Sequence, residues 1–226
     1  MPHDAAVGTA LAVFDLDGTI TRHDTFMPFV LGCLWRMPWR LPRLALALLP
    51  ALRYLIDRDR GRFKGALLRA TLGGLTRRDL ERSAARFVPK VLRSGLYAEA
   101  LRAIGEHRSR GDRLVLMSAS VDLYVPLIGR ALGFERTLCS RVQWRSDGRL
   151  DGRLATANCR GEEKRRCLQA LIAREAPRCV YAYGNSGSDL PHLRLAHKGY
   201  LVNAPARLLA SSPSVEALRW SQRGVA

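Results

Sequence analysis

The chain reads as an α/β protein built on a parallel β-sheet, with an inserted helical domain and a small β-hairpin. Three observations carry this reading. Short apolar runs suited to buried strands alternate with segments of helical spacing. A long leucine- and arginine-rich stretch without strand character interrupts the alternation once, and two short alternating runs around an Asp-Gly turn interrupt it again.

The run TALAVFDLDGTI predicts a first strand over residues 9–14, entering a polar turn at Gly18. Residues 21–108 hold several leucine-rich segments separated by Pro or Gly and are expected to form the helical insert. Beyond it, DRLVLMSAS predicts a strand near 113–117, and DLYVPLIGRALGF a helix. The piece RVQWRSDGRLDGRLAT, turning at Asp147 and Gly148, predicts the hairpin. A helix follows in GEEKRRCLQALIAREA, a strand at 179–183 in RCVYAYGNS, helical spacing in DLPHLRLAH and a last strand at 199–202 in KGYLVNA. Residues 1–20 and 109–226 are therefore expected to form one core around the insert. Ligands of such sheets bind beyond the carboxyl ends of the strands, and three of the four strands end in polar residues.

Length and composition set bounds on function. At 226 residues and 47% hydrophobic content the chain can bury a sizeable core. Five cysteines, without a CxxC pair or a secretory start, predict a reducing, cytoplasmic setting rather than a disulfide or zinc framework. The formal charge of +17 invites a nucleic-acid reading, but no zinc-finger spacing or aromatic RNP-like stretch accompanies it, so no nucleic-acid partner is expected. Only four of the 37 basic residues are lysines, and a uniform arginine excess also arises from base composition. Oligomeric state cannot be read from these residues.

The insert is the basic part: residues 20–108 carry 18 Lys or Arg against 7 Asp or Glu. Within it, FVLGCLWRMPWRLPRLALALLPALRYLI has a longest uncharged run of nine residues after its arginine cluster, Leu44 to Leu52, where about 20 are needed to span a bilayer. Trp35, Trp39 and the arginines suit a segment lying in a membrane interface, giving peripheral contact with an anionic membrane. A helical hairpin buried in the insert and broken at Pro42 and Pro50 is the other reading.

Four places carry chemistry. Asp15 and Asp17 stand two residues apart at a strand end, where close carboxylates repel unless a cation or a shared proton intervenes. Ser118 ends the next core strand and could donate to a phosphoryl oxygen. Lys164 opens a helix, where a cation could neutralise phosphate charge. GNSGSD brings Asn185 and Asp189 to a third strand end, with oxygen donors suited to Mg²⁺. Taken singly, each has a plain alternative as a turn, a cap or a surface charge.

In order along the chain, DLDGT, the Ser after LVLM, the Lys of GEEK and GNSGSD resemble the signature motifs of the haloacid dehalogenase superfamily of phosphohydrolases, and the helical insert resembles the cap of its phosphoserine-phosphatase-like branch. The resemblance implies a Rossmann-like core and a Mg²⁺-dependent phosphatase acting on a phosphate ester. It implies Asp15 as the nucleophile forming an aspartyl-phosphate, and Asp17 as the proton donor and later the base. Ser118, Ala119 and Lys164 would hold the phosphoryl group, and Mg²⁺ would be held by Asp15, the Asp17 backbone carbonyl, Asn185 and Asp189. Asn185 departs from the usual Asp and contributes no charge, so weaker metal binding is expected. Asp24 shortens a family Glu that contacts substrate in the cap. The cap sequence is loosely similar to that of a bacterial phosphatidylglycerophosphate phosphatase, which implies a lipid-linked or amphipathic ester. A small soluble ester, such as phosphoserine or a sugar phosphate, is the open alternative; a decayed membrane-surface binding protein is a third.

Overall fold

A computed structural model describes residues 9–57 and 59–221. The strands in chain order are β1 (Leu11–Phe14), β2 (Arg113–Val121), β3 (Arg136–Ser140), β4 (Val142–Trp144), β5 (Leu150–Leu154), β6 (Val180–Gly184), β7 (Lys198–Val202) and β8 (Glu216–Leu218). Six of them form an all-parallel sheet in the order β3-β2-β1-β6-β7-β8. β1 is apolar throughout because both its faces are covered. Leu11 and Val13 pack with Val180 and Leu168 on one side, and Ala12 and Phe14 with Leu116 and Ile104 on the other. From β1 the chain next builds β2 and β3 to one side, and later β6 to β8 to the other. The carboxyl ends of β1 and β6 thus flank a topological switch point, where open parallel sheets bind ligands.

The helices between β1 and β2 are α1 (Phe26–Trp35), α2 (Leu48–Asp57), α3 (Arg60–Thr71), α4 (Arg77–Ser94) and α5 (Ala98–Ser109), with a 3₁₀ helix at Pro38–Ala47 joining the first two. A capping box in which Thr76 and Asp79 bond reciprocally starts α4. α5 lies on the sheet: the His107 ring meets Phe14 edge-on, and its Nε2 bonds the Tyr183 hydroxyl at 2.9 Å. Pro42 falls inside the 3₁₀ helix. Pro50 is the third residue of α2, where its missing N–H has no intrahelical partner to lose, so it opens a helix instead of breaking one. Among the described residues no helix is long and apolar enough to cross a membrane.

After β2 come α6 (Val125–Ala131), α7 (Glu162–Glu175), α8 (Leu190–Leu193) and α9 (Ala206–Ala210). The hairpin forms as expected, with β4 and β5 antiparallel around Asp147 and Gly148. Leu150 also exchanges backbone bonds of 2.9 Å with Gly74 and Leu75, so the hairpin leans on the helical insert. Two strands lacked a sequence signal. β3 is only half-buried and alternates poorly, and β8 is three residues long at the sheet edge.

Candidate active site

β1 ends at Phe14, and the next residue begins the site. Asp15 is buried at the carboxyl end of the central strand, its amide bonded to the Tyr183 carbonyl of β6 at 2.9 Å. Its two oxygens are engaged on different sides: Oδ1 with Lys164 Nζ at 2.5 Å, Oδ2 with the Thr19 hydroxyl at 3.0 Å. Lys164 reaches it from the first turn of α7 and is 2% exposed, an unusual setting for an ammonium group. Its second partner is Asp189 Oδ1 at 2.6 Å, so one buried cation bridges two buried carboxylates.

Electrostatics follow from this crowding. Burial pushes the Asp15 carboxyl up to about 7, with Lys164 pulling the other way and Asp189 and Asp17 adding to the rise. Burial also works against the charge on Lys164, but Asp15 and Asp189 outweigh it and hold the ammonium above its ordinary range. For Asp189 burial is likewise outweighed, by Lys164 and a donated bond from Ser186, and the carboxyl is held far below the usual range.

Asp17 turns away from Asp15's lysine. Its Oδ1 accepts the Thr25 amide at 2.8 Å and the Thr25 hydroxyl at 2.5 Å, and its Oδ2 accepts the Ser120 hydroxyl at 2.7 Å. The Thr25 hydroxyl in turn lies 2.9 Å from the hydroxyl of the buried Tyr124. Burial raises the Asp17 carboxyl above its ordinary value; the Thr25 and Ser120 bonds oppose that, and Asp24 adds to it. A carboxyl in this cage has a fixed orientation and a raised affinity for a proton, which are the properties a proton donor needs.

The loop after β6 is built by Asp189. Its Oδ2 accepts the amides of Asn185 at 3.3 Å and Ser186 at 3.1 Å, and the Ser186 hydroxyl at 2.7 Å. Gly184 permits the close approach: a Cβ there would meet the Asp189 Cγ at 2.8 Å. Gly18 does the same from the other side. It has φ of +80°, and a Cβ on it would meet the Asn185 amide nitrogen at 2.0 Å, so the first turn and this loop interlock only around a glycine.

The expected residues come together, with some in different roles. Asp15, Asp17, Ala119, Lys164, Asn185 and Asp189 all line one cavity of about 570 Å³, and Asp24 lies at its wall. Ser118 is fully buried, and its hydroxyl accepts the Ser120 amide at 3.0 Å and faces Asp17 at 3.4 Å; Ala119 and Ser120 are the cavity residues of that strand end. Asp24 uses Oδ1 to accept the amides of Phe26 and Met27 at 3.0 and 3.1 Å, capping α1. Asp189, expected among the cation's ligands, has both oxygens committed to Lys164 and to its own loop.

Several contributors had no sequence signal. Thr25 and Ser120 bond Asp17 from 8 and 103 residues away along the chain, and Tyr124 backs Thr25 from 99 residues away. Lys64, from α3, donates to the Ala119 carbonyl and to Asn158 Oδ1 at 3.3 Å, and lines the same cavity with Arg60 and Arg160.

The donors around Asp15 fit a hard cation. The side-chain oxygens available to it are those of the Asp15 carboxylate, whose Oδ2 accepts from the Thr19 hydroxyl, and of the Asn185 amide, whose nitrogen is the end turned to Gly18; the Asp17 main-chain carbonyl is the further donor that the family resemblance implies. No group of three or more His, Cys, Asp or Glu side chains able to hold a metal occurs among the described residues, so main-chain and amide oxygens would have to complete the set.

Comparison with known proteins bears on family and fold. A family model described as haloacid dehalogenase-like hydrolase matches residues 12–194. Protein CicA of Caulobacter vibrioides is 35% identical over 194 residues, covering 85% of this chain and 86% of its own. A protein of unknown function from Bordetella pertussis superposes with a TM-score of 0.77 at 22% identity, covering 93% of this chain and 98% of its own. A phospho-aspartyl intermediate analogue of phosphoserine phosphatase superposes with a TM-score of 0.63 at 17% identity, covering 93% and 92%. At these identities the two structures show the fold.

Proposed function

The chain belongs to the haloacid dehalogenase-like hydrolases, and from that premise we propose that it is a Mg²⁺-dependent phosphomonoesterase working through an aspartyl-phosphate on Asp15. The observation that carries this reading is the buried Asp15–Lys164–Asp189 array at the floor of the cavity, beside the hydroxyl-caged Asp17. A structural neighbour described as a phospho-aspartyl intermediate analogue of phosphoserine phosphatase supports the same chemistry.

In the first half of the reaction an Asp15 carboxylate oxygen attacks phosphorus, the ester P–O bond breaks and Asp17 gives its proton to the departing alkoxide. In the second half Asp17 takes a proton from water, which attacks phosphorus. The acyl phosphate P–O bond then breaks, regenerating Asp15 and freeing inorganic phosphate. Lys164 keeps positive charge beside the nucleophile throughout, lowering the repulsion between carboxylate and phosphate. Mg²⁺, held by Asp15, the Asp17 carbonyl and Asn185, would supply further neutralisation of the phosphate charge. Asn185 adds no charge to that set, so its affinity is expected to be lower than with Asp.

The helices α1–α4 act as the cap in this reading, and α5, which lies on the sheet, belongs with the core. Phe26, Met27, Tyr54 and Phe63 give the cavity an apolar wall from the cap, opposite the charged floor. This pairing favours a phosphate ester with an apolar body, such as a lipid phosphate. A small soluble ester is the second reading, favoured by a cavity of about 570 Å³, the size of an ordinary small-molecule site. Release of inorganic phosphate from lysophosphatidic acid, phosphatidylglycerol phosphate, phosphoserine and sugar phosphates, with and without Mg²⁺, separates the two; no release from any ester would contradict the proposal.

Lys64 sets a pH dependence on binding. Burial lowers its ammonium to about 8, with Asp17 and Asp24 opposing. The group is charged below that value and neutral above it, so its attraction for an anionic ester is present at neutral pH and lost as pH rises. We expect KM to rise roughly tenfold between about pH 7 and pH 9, the scale of one charge-assisted hydrogen bond. In Lys64→Arg the rise should vanish, and in Lys64→Met KM should be high at every pH.

A further inference from the structure

The exposed apolar side chains of this protein are concentrated in one stretch of chain. Among the described residues, ten of the eleven exposed large hydrophobic side chains lie between Met27 and Ile56, with Trp35 82% and Ile56 85% exposed. Their spacing is helical and faces outward. On α1 the exposed positions Met27, Leu31 and Trp35 recur every four residues, while Val30 and Leu34, one position earlier, are fully buried. On α2, Leu48, Leu52 and Ile56 repeat the pattern. Each helix therefore turns an apolar stripe to solvent, and the 3₁₀ helix that carries Trp39 packs against both.

Charge decides what this face is suited to meet. From Thr25 to the end of α2 at Asp57 the chain holds four arginines and a single carboxylate, Asp57. Arg40 is occupied inside the fold, donating to the carbonyls of Thr71 and Gly73 at 3.2 and 3.1 Å. Arg36 and Arg53 are exposed and Arg43 is half-buried. Two copies joined through this face would bring their arginines together with only Asp57 of each copy, at the end of α2, to answer them. An anionic lipid surface answers both features, because leucines and tryptophans enter the headgroup boundary while arginines stay at the phosphates.

We propose that the α1–α2 face docks this protein on the surface of an anionic bilayer, lying in the interface without crossing it. Met27 of α1 and Tyr54 of α2 both line the catalytic cavity, so docking sets the cavity mouth at headgroup level. The link to lipid-phosphate turnover rests on the phosphatase reading; the docking does not.

The test is flotation of the full chain with vesicles of phosphatidylcholine alone or of phosphatidylcholine mixed with phosphatidylglycerol. We expect flotation only with the mixed vesicles, weakening as salt is raised. The double variant Trp35→Ala, Trp39→Ala should stay at the bottom of the gradient. Arg36→Gln, Arg43→Gln and Arg53→Gln should each weaken vesicle binding by about fivefold. Asp15→Asn should float like the wild type, which separates failure of docking from failure of catalysis. Unchanged turnover of a soluble ester, without vesicles, shows that the surface variants are folded. A wild-type chain that remains at the bottom with mixed vesicles overturns the proposal, as does a dimer in sedimentation equilibrium that the tryptophan variant dissolves.

Discussion

Asp15→Asn is expected to abolish Mg²⁺-dependent phosphate release while leaving the fold in place. Asparagine keeps the shape of the side chain and can still accept from Thr19, whose hydroxyl lies 3.0 Å from Asp15 Oδ2. Lys164 loses one carboxylate but keeps Asp189 at 2.6 Å, so no buried charge is left alone. The chemistry has no such substitute, because an amide is a poor nucleophile and cannot form the acyl phosphate. Loss of a covalent nucleophile costs on the order of 10⁴-fold or more in turnover. The check is turnover of whichever ester the panel identifies, alongside a thermal melt. Retained turnover with an unchanged melt would sink the assignment of Asp15.

Lys164→Met has the opposite profile, with a large effect on stability as well as on rate. The substitution removes the cation between Asp15 and Asp189 and leaves two buried carboxylates around an apolar side chain. Breaking a buried ion pair in this way costs about 3–5 kcal/mol. At roughly 2–4 °C per kcal/mol for a chain of this size, the midpoint should fall by about 10 °C. Turnover should also drop by about 10²- to 10³-fold, the range for removing one preorganised charge donor. Added Mg²⁺ should raise the variant's melting temperature more than the wild type's, since the cation offsets the same repulsion. A melt within a degree or two of wild type would mean that the array contributes little to the fold.

How much of this was legible beforehand depends on how far each feature is local. β1, β6 and β7 are short apolar runs and β2 begins as one near 113–117 before continuing to Val121; three of the four end in polar residues, a local pattern that signals buried strands. Asp15, Asp17, Lys164 and Asp189 sit beside those ends or at a helix start; singly each reads equally as a turn, a cap or a surface charge, and their order along the chain is what singled them out. β3 and β8 are held by their neighbours in the sheet more than by their own apolar content, and their sequences do not show it. Thr25, Ser120 and Lys64 are ordinary residues in sequence and become part of the site only when α1, β2 and α3 converge on one cavity. Asp189 was legible as a site residue but not in its role, which depends on whether Lys164 or a cation claims its oxygens. The leucine-rich stretch shows the same limit. Composition cannot distinguish Leu34, fully buried, from Leu31, 47% exposed, although the two lie three residues apart on one helix.

The central claim is that phosphate leaves its ester by way of Asp15. Acid quenching during turnover, followed by peptide mapping by mass spectrometry, reads this directly, because acid preserves an acyl phosphate long enough to locate it. The account predicts one added phosphoryl group on the peptide carrying Asp15, absent in Asp15→Asn and lost on treatment with hydroxylamine. A phosphoryl group on any other residue, or steady phosphate release with no phosphorylated chain at any quench time, would contradict it.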